Sequence, residues 1–227
     1  MRFFTFADVT PNTVDMQTEN VLLTANYFGP IQYYSKIIGY SNVIIEQHEN
    51  YQKQSFRNRC QILSANGLQS LTVPVVKANG NHTLIRDVLV DYSTPWQRIH
   101  QKAIESAYRT AAYYQHYIDE LIPVFEKKEK YLFDLNIKSH SIVMELMGVN
   151  HPLSYTSTFD KTPPSHTVDF RNSIHPKRES NDETFCEVSY FQVFSDRFSF
   201  VANLSIIDLL MNMGPDSANI IKKCIKQ

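Results

Sequence analysis

The chain has only three cysteines in 227 residues, Cys60, Cys186 and Cys224. They are odd in number, widely spaced and form no CxxC pair, which excludes a disulfide framework and favours a reducing compartment. No apolar run approaches the roughly 20 residues that a membrane-spanning helix needs. The opening MRFFTFADVTPNTVD carries Asp8 and Pro11 and lacks a long apolar stretch, so it reads poorly as a signal peptide. A cytoplasmic location is the expectation. Charge of one sign is also lacking, because the formal net charge is -1. That balance argues against nucleic acid as a partner, which needs a continuous basic footprint. There is no GxGxxG, no GK[ST] loop and no GxSxG elbow, so dinucleotide, P-loop and serine-hydrolase chemistries have no sequence support. The histidines form no zinc pattern, and the chain calls for neither a metal nor a cofactor.

What is present is an ordinary apolar content rich in Phe and Tyr, enough for one domain with a sizeable core. Residues 1–20 read as an N-terminal extension and 21–227 as a single domain. Residues 21–25 predict a buried strand, 31–39 a short helix entered at Pro30 and closed by Gly39, and 43–47 a second strand, an order that favours parallel packing. Asn66-Gly67, between two strand-like runs, predicts a β-hairpin with a type I′ turn. Residues 84–92 and 184–194 read as strands. Helices are expected over 96–112, 114–128, 131–147 and 204–214, the last capped by Ser205 or Asn203 and ended by Gly214-Pro215. Residues 160–184, rich in Pro, Ser, Asn, Asp and Lys, read as a long loop. The expected fold is α/β, a small mixed sheet with a hairpin and a helix-rich second half.

The densest polar signal is Lys53, Arg57, Asn58 and Arg59. A helical register puts Lys53 and Arg57 on one face, and an extended one puts Arg57 and Arg59 on one side. Either offers paired donors for a phosphate or carboxylate, with Asn58 orienting a polar group. The alternative is a surface whose cations pair with Glu46 or Glu49. His100 lies on the apolar stripe with Ala103, Ile104 and Ala107, as a satisfied core histidine or as a general base lining a pocket. Gln32 and Tyr33 begin a helix beyond a strand's carboxyl end, where α/β ligands gather and backbone donors favour anions. Asp208 either faces the basic cluster or serves a neighbouring helix. His140, Glu145 and His151 are too irregularly spaced for a one-helix metal motif, yet folding could gather them. Cys60 reads as a buried strand cysteine or, beside Arg59, as an activated thiol.

The ordered blocks YFGPIQYYSKI, ENYQKQSFRNRCQI, LTVPVV, WQRIHQKAIESAYRTAAYY and LSIIDLLMNMGPD resemble the WbqC-like protein family over roughly residues 21–216. That family is associated with bacterial O-antigen and other surface-polysaccharide loci. The resemblance implies work on a phosphorylated or nucleotide-linked sugar: transfer of an acyl, amino-acyl or glycosyl group, with His100 as proton acceptor and Gln32, Tyr33, Lys53, Arg57, Asn58, Arg59 and Asp208 around the substrate. A polysaccharide-pathway enzyme is a second possible partner, in a non-catalytic binding or assembly role.

Overall fold

The computed structural model describes residues 17–177 and 182–226. Of the expected extension, residues 1–16 lie outside the described residues, and 17–20 already belong to a strand. Strand β1 (Gln17–Thr24) leads through helix α1 (Ile31–Gly39) into strand β2 (Tyr40–Glu46), and the two strands pair in parallel. Val21, Leu22 and Leu23 are all buried. This continuous apolar run is what a parallel strand covered on both faces requires.

An antiparallel hairpin follows, β3 (Arg59–Ser64) with β4 (Gly67–Thr72), then a small pair, β5 (Val75–Val76) with β6 (Leu89–Val90). The hairpin turn falls on Ala65-Asn66, one residue before the expected Asn66-Gly67. Only Gly67 takes a positive φ, 99°, so the backbone demand of a type I′ turn is not met at the two loop residues. Within residues 84–92, expected as one strand, a 3₁₀ turn at Ile85–Asp87 precedes the two-residue β6.

The helices α2 (Trp96–Tyr108), α3 (Tyr114–Glu126) and α4 (Leu132–Leu146) then pack in succession. Two short strands return to the sheet: β7 (Leu153–Tyr155) pairs with β2 and β8 (Thr167–Asp169) with β1, both in parallel. The order β7-β2-β1-β8 therefore places all four carboxyl ends on one edge. β8 lies inside the segment expected to be a loop. A single turn, α5 (Ser195–Phe198), precedes α6 (Ile206–Met213) and α7 (Ser217–Lys223). Residues 184–194 form no strand. Phe185 makes one bridge, to Ile225, and the rest runs as an irregular strap with no further ladder.

The start of α6 is zippered onto the start of α1. Ile31 N donates to Leu204 O, Ile206 N to Gly29 O, and the Ser205 hydroxyl both donates to Phe28 O and caps Ile207 N. At the other end of α6, Gly214 holds φ 54° and ψ -123°. A Cβ there would lie 2.3 Å from the Tyr113 ring. Gly148, after α4, has a similar φ of 64° but open space around it. Replacing Gly148 by Ala should therefore cost about 1 kcal/mol, the backbone strain alone. Gly214→Ala should cost about 3 kcal/mol or more, because the clash adds to the strain. Urea unfolding of the two variants measures the difference.

Candidate functional site

Ligands of open α/β sheets collect beyond the strands' carboxyl ends, and here that edge is charged. Glu46, the last residue of β2, has a fully buried side chain. It accepts from the Thr156 hydroxyl at 2.7 Å and from His48 N at 2.8 Å, and pairs with Arg171 Nη1 at 2.9 Å. Arg171 grips Asp169, the last residue of β8, through Nε at 3.0 Å and Nη2 at 2.8 Å. Three residues past β2, Glu49 takes Arg57 in a two-pronged pair, Nε at 2.8 Å and Nη2 at 2.5 Å, and Arg57 Nη2 also reaches Arg171 O. Burial raises the Glu49 carboxyl above its ordinary range, against the opposing pull of Arg57. The hydrogen bonds to Asp169 and Glu46 hold Arg171 more firmly protonated. The Asn136 amide of α4 ties this knot to the sheet, donating to both Ala25 O and Arg57 O.

Three cavities border the same edge, and all three are lined by Tyr155, the 44 % exposed last residue of β7. One, of about 240 Å³, has Leu22 and Ile44 as its floor, Glu46 at its end, and Thr156, Ser157, Thr158 and Asp160 as a polar rim. A second, of about 510 Å³, lies between Gln47, Phe133 and Lys138. The third, of about 420 Å³, opens between α4 and β7. In the first, Glu46 and Thr156 are already bonded within the knot, so the groups this cavity offers a ligand are the Asp160 carboxylate, the Ser157 and Thr158 hydroxyls and the exposed Tyr155 ring: hydrogen-bonding oxygens and an aromatic face.

The residues singled out in the sequence fall into separate settings. Arg57 is 2 % exposed and is spent on Glu49, the partner the ion-pair alternative named, but in a buried pair where that alternative expected a solvated surface. Asn58 is buried and donates to Val73 O, leaving its own Oδ1 without a partner. Arg59 is half-buried, with its Nε unpartnered and no ion pair among the described residues. Lys53 is exposed and its ammonium neighbours that of Lys77. His100 is 3 % exposed, in contact with Trp96, and bonded through Nδ1 to the Tyr27 hydroxyl at 3.0 Å and to the Thr72 backbone. Thr72 stands opposite Arg59 in the hairpin, so His100 and the basic segment are neighbours through β4. Gln32 and Tyr33 are buried in α1, with Gln32 donating to Asp182. Asp208 accepts from the hydroxyls of Tyr108 at 2.8 Å and Tyr190 at 2.7 Å. None of these residues lines the three cavities. Cys60 is fully buried, and burial pushes its thiol up to about 12, the opposite of an activated thiol.

Sequence reading missed Tyr155, Thr156, Asp169 and Arg171. The signal for the last two was TVDF at 167–170, a strand-like alternation within a polar stretch.

A four-stranded parallel sheet, its carboxyl edge cross-braced by buried ion pairs and flanked by cavities, defines the class: an α/β protein with a helix-rich second half. Within that class, the chain belongs to the WbqC-like protein family, whose model matches residues 25–182. It is also similar to the uncharacterized protein Rv1507c of Mycobacterium tuberculosis, with 25% identity over 225 residues that cover 89% of this chain and 97% of the relative. No solved structure matches the chain. Among the described residues, no helix is long and apolar enough to cross a membrane, and no cluster of three or more metal-ligating side chains occurs.

Burial lowers the imidazoles of both His100 and His140 to about 4 and raises the Asp208 carboxyl to about 6. The signs oppose. A histidine depressed below its unfolded value stabilises fully above about pH 6.5 and loses that contribution as pH falls toward 4. Asp208, raised above its unfolded value, stabilises at low pH and loses its contribution as pH rises through about 6. Because His140 Nδ1 has no hydrogen-bond partner among the described residues, His140→Gln isolates one histidine. Its unfolding free energy, from urea titrations between pH 4.5 and 6, should fall on acidification less steeply than that of the parent, by about 1.4 kcal/mol per pH unit. Equal slopes would show that His140 does not titrate on unfolding.

Proposed function

We propose that this protein binds a phosphorylated or nucleotide-linked sugar at the carboxyl edge of its sheet, in the synthesis of surface-polysaccharide precursors. Membership in the WbqC-like family supports the pathway. The observation that carries the ligand class is the cavity beside Tyr155, with Glu46, Asp160 and three consecutive hydroxyl side chains around an apolar floor. Transfer of an acyl, amino-acyl or glycosyl group to that sugar is the activity we assign, because sugar precursors are elaborated by such steps. Lys53 and Arg59, free of carboxylate partners among the described residues, remain the groups for a phosphate, with Arg57 bracing the loop that carries them.

A second reading is a non-catalytic binding or pathway-assembly protein. The burial of His100 away from the three cavities described favours it, since a proton acceptor must reach the reacting group. Calorimetric titration with UDP-linked sugars, sugar phosphates and plain nucleotides tests the shared core of both readings. Sugar-bearing ligands should bind, and Asp160→Ala and Tyr155→Ala should each weaken them by at least about tenfold, roughly 1.4 kcal/mol. Affinity unchanged in both variants but lost in Arg59→Ala would move the sugar to the basic segment. Turnover with an activated donor separates enzyme from binder.

A further inference from the structure

The cavity between α4 and β7 holds chemistry that the sugar site does not use. His140, on α4, is 6 % exposed, and its Nδ1 has no hydrogen-bond partner among the described residues. Its Nδ1 is sealed, which leaves Nε2 as the nitrogen that meets the cavity. The ring is held flat against Tyr34, with centroids 5.8 Å apart and an interplanar angle of 14°. An imidazole nitrogen buried this far without a partner is uncommon, because it gives up hydration and gains no hydrogen bond in return. One turn and a residue further along α4, Glu145 lines the same cavity, exposed and with no ion pair among the described residues. Two of the other polar groups nearby are engaged: His151 Nε2 lies 2.8 Å from Tyr40 O, and the Ser141 hydroxyl donates to Ile137 O. The rest of the wall is Ile137, Met144, Val149 and Leu153, with Asn150 and Tyr155 as its further polar side chains.

We propose that this cavity is a binding site for a small aliphatic amine, with the ammonium paired to Glu145, an N–H donated to His140 Nε2 and the carbon stem against Met144 and Val149. The unspent groups select this class. The Glu145 carboxylate accepts hydrogen bonds, and His140 Nε2 accepts when the ring proton sits on Nδ1, so the matching ligand brings donors and positive charge, and the Met144 and Val149 side chains favour a short carbon chain over a bare ammonium ion. An anion of the same size would face Glu145 unpaired. The site stands independently of the sugar reading, since it shares only Tyr155 with the smaller cavity.

The test is propylamine titrated into the full chain at neutral pH, followed by the ring nitrogen and carbon-bound proton signals of His140 in heteronuclear NMR, with acetate as the anionic control. Propylamine should shift the His140 signals saturably, and acetate should not. Glu145→Gln, at an exposed position that leaves the fold intact, should weaken the amine by at least about tenfold, while Asp160→Ala should leave it unchanged. The absence of a saturable shift, an equal response to acetate, or full affinity in Glu145→Gln would each overturn the proposal. Because Asp160→Ala disables the sugar cavity alone, loss of sugar binding with amine binding intact separates failure of one site from failure of the other.

Discussion

Four buried charges at the carboxyl edge of the sheet constrain everything around them, Glu46 and Glu49 against Arg57 and Arg171, with the exposed Asp169 as a second partner of Arg171. Taking such groups out of water costs several kcal/mol each, and only near-complete hydrogen bonding offsets that. The offset is met here by two-pronged pairs and by the Thr156 hydroxyl and His48 amide. The acids come from the ends of β2 and β8 and the arginines from two connecting segments. The knot therefore joins parts of the chain more than a hundred residues apart in sequence. Specificity of arrangement, more than net stabilisation, is what such a network contributes when each member has one geometry in which it is satisfied.

The function proposed for this edge depends on that arrangement. Glu46 is at once a member of the knot and the end wall of the smallest cavity, and Thr156, which hydrogen-bonds it, begins the cavity's hydroxyl rim. The segment between Lys53 and Arg59 is held in place by the Arg57–Glu49 pair, by the Tyr27 N–Phe56 O bond and by the Asn136 amide on Arg57 O. The two buried histidines divide differently. His100 is satisfied by Tyr27 and Thr72 and belongs to the core, whereas His140 is unsatisfied at Nδ1 and faces open space. A ligand reaching the larger cavity would meet an imidazole kept neutral by its surroundings.

Much of the fold was legible in the sequence where local signals and packing agreed. The helix at 31–39 matched to the residue, because Pro30, the amphipathic run and Gly39 all mark the same boundaries. The Ser205 cap and the Gly214 stop were legible for the same reason. The short strands β7 and β8 were not, since three residues each carry too little periodicity, and their identity comes from pairing with β2 and β1. The strap at 184–194 has strand-like composition but finds no sheet edge, so its alternation went unused. The candidate site was half legible. The basic cluster stood out, and Glu49 was foreseen as a possible partner for it. That the partner would consume Arg57 is a tertiary fact that no spacing encodes. Asp169, Arg171 and Tyr155 drew no attention because their significance lies in which strand ends they occupy.

A double-mutant cycle with Glu49→Leu and Arg57→Met measures whether the buried Glu49–Arg57 pair at the carboxyl edge is energetically coupled. Each single change strands a buried charge and should cost about 3–5 kcal/mol in urea unfolding, whereas the double change should cost far less than the sum of the two. Single costs below about 1 kcal/mol that simply add would contradict the account.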